Sequence, residues 1–166
     1  MTFRFFAIFS FCCCLLAVPQ NAVAQQVDDS EPELIEVDID NTTRRIAIPK
    51  FVAPAAADTP AGNTASLANQ IAQVIASDLS GSGLFKPVGP NGVRSISLAE
   101  VQAPQYAYWQ GVSADQLISG FIRKNPDGKL TIGCYLYDVG FQSQSTKFGI
   151  IVKPGEWRRA AHKCAD

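Results

Sequence analysis

Few side chains in this 166-residue sequence are of a type that does chemistry, and their spacing keeps them from acting together. His162 is the single histidine, and it sits among Arg158, Arg159 and Lys163, as on a helix face turned to water. A histidine acts as an acid or base when a partner positions it, and none is specified nearby. Cys164 stands two places on, which sends the two side chains to different sides of a helix, so they do not read as a thiolate and its base. There is no G-x-S-x-G, H-E-x-x-H, C-x-x-C or phosphate-cradling glycine loop. Gly81 and Gly83 come after an apolar helical stripe, whereas a dinucleotide loop comes before a helix, so they read as a helix stop. Asp28, Asp29, Glu31 and Glu33 lack the glycine-centred loop of a calcium site and read as a solubilising arm. Tyr106, Tyr108 and Trp109 read first as packing groups. The residues therefore point away from an enzyme, and they call for no cofactor and no metal.

The segment with most functional content is Leu34, Ile35, Glu36, Val37, Asp38, Ile39 and Asp40. Its apolar and acidic residues alternate with the period of a strand, and the acid-rich stretch before it reads as a flexible arm. A short alternating strand on a tether can complete the exposed sheet edge of another protein. The plain alternative is a first strand of this domain's own sheet.

That tether follows an export signal. Arg4 precedes the apolar run 5–18, and Ala22, Val23 and Ala24 offer a cleavage site, making Gln25 the expected first residue of the exported chain. The run is shorter than the ~20 residues of a spanning helix, and Pro19, Gln20 and Asn21 close it. Cys12, Cys13 and Cys14 leave with this leader. Ser10 and Phe11 before them fit a lipidation box poorly, so no stable membrane anchor is expected. Cys134 and Cys164 remain, and in an oxidising compartment they could form one disulfide if the fold brings them within bonding geometry. A formal net charge of −1 gives no basic footprint for nucleic acid.

Beyond the arm the pattern is that of one folded domain, 41–166. Residues 45–51 read as an inner strand in which Pro49 marks an end or a bulge. Residues 53–63 read as a loop. Leu67, Ile71, Val74, Ile75 and Leu79 then form one stripe of a helix capped by Asn63 or Thr64. A short strand over 84–88, a capping box from Ser97 to Glu100, and a hairpin of 116–124 with 129–139 around Pro126, Asp127 and Gly128 follow. A further strand covers 147–152. The last element is a helix from about Glu156 that buries Trp157, Ala160, Ala161 and Cys164, and the pattern reads as continuing past Asp166.

This order of elements resembles the amino-terminal domain of the TolB family of the Tol-Pal envelope system. The resemblance rests on four matches and a closing run. These are the I-x-I-P-x-F strand at 46–51, Asp78, Leu79, Ser82, Gly83 and Phe85 at the end of the long helix, the stretch 109–118 leading into the sheet, DGKLTIGCYLYDV at 127–139, and Trp157 to Asp166. It implies an α+β fold, a mixed sheet packed against two or three helices, in a non-enzymatic periplasmic protein. It also implies that the segment 34–40 engages the C-terminal domain of TolA. Pal would be reached only through a β-propeller that follows this domain in the family. A different outer-membrane assembly protein or cell-wall-synthase activator sharing the fold is the alternative reading.

Overall fold

The computed structural model of the chain describes residues 43–166. The expected export signal, the expected arm and the alternating segment at 34–40 lie outside the described residues. In chain order the elements are β1 (Arg44–Ala47), β2 (Asp58–Thr59), β3 (Gly62–Asn63), α1 (Thr64–Gly81), β4 (Phe85–Val88), α2 (Leu98–Gln102), α3 (Tyr106–Gly111), β5 (Gln116–Lys124), β6 (Leu130–Asp138), β7 (Ser143–Val152) and α4 (Trp157–Ala165). Five strands form one mixed sheet in the order β4-β1-β5-β6-β7. β1 runs parallel to both neighbours, and β5, β6 and β7 form an antiparallel meander. The fold is α+β, as the resemblance implied.

Side-chain periodicity decides which face each helix covers. Leu67, Ile71, Val74, Ile75 and Leu79 of α1 are buried against Ile46, Ile118, Ile122, Leu130 and Ile132 of the sheet, and Trp157, Ala160, Ala161 and Cys164 of α4 join the same core. Burying the five α1 side chains contributes on the order of 10 kcal/mol before conformational entropy is set against it, which is why α1 folds on the sheet and not alone. Asn63 caps α1, its side-chain oxygen accepting from the Ala65 amide at 3.0 Å. The helix ends where Gly83 takes φ +73, a left-handed conformation that glycine adopts without Cβ strain.

The opposite face carries a smaller core of Ala47, Trp109, Ala114, Leu117, Tyr137 and Val139 under the α2–α3 segment. Strand alternation makes both cores possible. In β6, Leu130, Ile132 and Cys134 face α1 and α4, and Tyr137 faces α3.

Four local features depart from the sequence reading. The inner strand stops at Ala47, two residues before Pro49, and Val52 then makes an isolated bridge to Phe121. A proline without an amide proton interrupts the ladder, and pairing resumes once it has passed. The loop at 53–63 contains the small β2–β3 hairpin, held in part by a hydrogen bond from Asn63 to Asp58. Residues 106–111 form α3, a helix too short for a periodic signal. β7 begins at Ser143, because pairing with β6 continues through polar residues whose pattern alone does not specify a strand.

Candidate protein-interaction site

β1 opens into a groove of about 850 Å3 at one end of the sheet, between the α3–β5 connection and the β6–β7 turn. Its basic wall is Arg44 and Arg45. The Arg45 guanidinium donates to the carbonyls of Ser113 at 2.8 Å and Val112 at 3.1 Å, and its backbone amide donates to the Asp115 carboxylate at 2.8 Å. Ser113 sits at φ +57, a conformation an L side chain adopts at a cost, and the amides of Ser113 and Ala114 bonding back to Gln110 and Trp109 hold it there. On the other wall Phe141 is 86% exposed, and its amide donates to the Asp138 carboxylate at 2.7 Å. Cations, a presented aromatic ring and two carboxylates that each already hold a backbone amide can grip a peptide. Ser113, Asp115 and Asp138 all line the groove, and the hydrogen bonds of the two carboxylates come from the backbone amides of Arg45 and Phe141, not from the Ser113 hydroxyl.

The remaining sequence candidates are placed as follows. Cys134 of β6 and Cys164 of α4 are joined as a disulfide, with Cα atoms 6.0 Å apart. Tyr106, Tyr108 and Trp109 pack the second core. Trp109 is buried, Tyr108 meets it edge-on with ring centres 4.8 Å apart, and Tyr106 meets Tyr137 edge-on at 6.3 Å. Arg94 closes that cluster, its guanidinium 4.6 Å from the Tyr108 ring centre and paired with Glu100. The Arg94 hydrogen bond, aided by the amide of Ser97, holds the Glu100 carboxyl below its ordinary range against the opposing effect of burial. His162 lies on the exposed side of α4 and meets Asp78 of α1 at 2.6 Å through Nδ1. Eighty-four residues separate the two, and no motif spacing reveals such a contact.

Among the described residues no group of three or more His, Cys, Asp or Glu could hold a metal ion, and no helix is long and apolar enough to cross a membrane. Residues 34–40 lie outside the described residues, and the described chain reaches the groove at Thr43.

Comparison with known proteins places this architecture. The family model described as "TolB amino-terminal domain" matches residues 35–145. The Tol-Pal system protein TolB of Rhizorhabdus wittichii is 47% identical over 135 residues, which are 80% of this chain and 31% of the relative. A Tol-Pal system protein TolB of Novosphingobium aromaticivorans is 51% identical over 123 residues, 73% of this chain and 27% of the relative. The crystal structure of TolB from Acinetobacter baumannii superposes with a TM-score of 0.57 at 22% identity, covering 75% of this chain and 27% of that one, and so shares the fold. The chain thus spans less than a third of the length of the relatives it matches. With a family match over 111 of its 166 positions and relatives near half identity, the chain belongs to the TolB amino-terminal domain family.

Proposed function

We propose that the protein is the periplasmic TolB component of the Tol-Pal system and acts by protein contacts, not catalysis. In this reading residues 1–24 are removed on export, 25–40 form the tethered arm and 41–166 form the folded domain. Leu34, Ile35, Glu36, Val37, Asp38, Ile39 and Asp40 engage the C-terminal domain of TolA by adding a strand to an exposed sheet edge. Contact with Pal belongs to the propeller that follows this domain in the family, and neither nucleic acid nor a membrane anchor takes part. The protein would couple inner-membrane force to the outer envelope, in support of envelope integrity, constriction at division and protein import.

The observation that carries this reading is the family match, which begins at position 35 and so takes in all of the alternating segment except Leu34. Strand addition draws affinity from main-chain hydrogen bonds and specificity from every second side chain, here Ile35, Val37 and Ile39. The test is fluorescence anisotropy of a labelled 25–42 peptide titrated with the TolA C-terminal domain. Replacing all three apolar residues with glutamate is expected to weaken binding by about tenfold or more. Unchanged affinity of the substituted peptide would refute the tether.

A further inference from the structure

Residues 43–166 carry thirteen Lys and Arg against eight Asp and Glu, a formal +5 hidden by the acid-rich sequence before them. Part of this excess stands on the exposed side of α4 as Arg158, Arg159 and Lys163. Helix physics favours only part of that arrangement. Lys163 lies in the last turn of α4, where the macrodipole favours a cation, but the first turn holds Arg158 and Arg159 and no acid, at the end where cations are disfavoured. Arg159 and Lys163 are also a like-charge pair four residues apart. Glu156, at the N-cap of α4, is turned back to accept from the Lys153 amide at 3.2 Å. Among the described residues neither Arg159 nor Lys163 makes a salt bridge, and Arg158 lies 4.7 Å over the ring of Trp157. Arg159 in particular gains no such support from its own helix, and an exposed cation kept against local preference is a candidate for a partner's charge.

Beside these cations a cleft of about 310 Å3 runs between α4 and α1, with Gln70 and Gln73 on one wall and Arg158 and His162 on the other. The one carboxylate in it, Asp78, is engaged by His162. We infer that the exposed face of α4, with the α1–α4 cleft, binds an extended acidic segment of another protein. Its carboxylates pair with Arg158, Arg159 and Lys163, and the glutamine amides reach its main chain. A flat lipid surface fits less well, because the exposed large apolar residues, Leu84, Leu98, Phe141, Phe148 and Ile151, all lie off α1 and α4 and cannot anchor this face. The proposed surface is built from residues of α1 and α4 alone and takes nothing from the 34–40 segment.

The test titrates the protein into a fluorescein-labelled peptide of alternating glutamate and serine and reads anisotropy. Arg158→Glu, Arg159→Glu and Lys163→Glu together are expected to weaken binding by about tenfold, since three exposed pairs are lost. Arg158→Lys with Arg159→Lys should retain most of it, and circular dichroism should confirm an unchanged fold. The same reversal at Lys86, Arg123 and Lys124, which lie off α4, should leave affinity within about twofold once salt is matched. Equal weakening by both sets, or no weakening by the α4 set, would overturn the assignment. So would binding to phosphatidylglycerol vesicles with none to the peptide.

Discussion

The phenol of Tyr137, buried in β6, donates a 2.8 Å hydrogen bond to the carbonyl of Val101 in α2, thirty-six residues earlier. Ser119 of β5 reaches the same carbonyl at 3.3 Å. One oxygen thus receives a hydroxyl from each of two adjacent strands, and α2 is fixed to that face of the sheet.

Burial pushes the Tyr137 phenol up to about 12, with Tyr106 and Tyr135 adding to the shift. The folded state holds the proton to a higher pH than the unfolded state, where a tyrosine titrates near ~10. Its contribution to stability is therefore complete below pH ~10 and lost as pH rises toward about 12. Burial raises the Tyr106 phenol as well, so spectrophotometric titration should show late ionisation that includes a step at about 12 from Tyr137. Tyr137→Phe should remove that step and cost about 1 kcal/mol in urea unfolding at neutral pH. An unaltered titration curve in the variant would contradict the assignment.

Glu100 serves two purposes, closing the capping box of α2 and pairing with Arg94. Glu100→Gln keeps a side chain able to cap and removes the charge. A carboxyl held below its ordinary range stabilises the fold above the unfolded value near ~4.3, and that stability is lost as pH falls through the folded value. The variant should lose about 1–2 kcal/mol at pH 7 and much less near pH 3, which denaturant melts at the two pH values will show.

Cys134 and Cys164 close a loop across a sequence separation of thirty and fasten α4 to β6. Cys134→Ala with Cys164→Ala should cost about 3.5 kcal/mol by the loop-entropy argument. In a chain without the leader cysteines, alkylation after unfolding without reductant should find no free thiol. Labelling of both cysteines would show that the bridge is not formed.

Gly120 of β5 leaves room for the ring of Phe51. A methyl group at Gly120 would fall 2.3 Å from both the Phe51 ring and the Gly133 carbonyl, and the carbonyl belongs to a paired strand that cannot yield. Gly120→Ala should destabilise the domain by about 2–3 kcal/mol, read as a lower urea midpoint. A midpoint equal to that of the parent would mean that the sheet accommodates the methyl group.

Local pattern by itself was enough to specify the long amphipathic α1 and to narrow its cap to Asn63 or Thr64, and it also specified the β5–β6 hairpin around Gly128, the Ser97 to Glu100 capping box and the buried stripe of α4. Each of these is written in residues only a few places apart, where periodicity and turn chemistry act directly. The sequence likewise excluded familiar catalytic motifs and singled out the alternating segment at 34–40. Only the tertiary structure placed β1 between β4 and β5, put Phe51 on Gly120, and joined Asp78 to His162 and Tyr137 to Val101. It also drew Arg44, Arg45 and Phe141 into one groove. These relationships join residues far apart along the chain, and they follow from which sheet face each helix covers. That choice belongs to the whole packed core, because it depends on how all the apolar faces are buried at once.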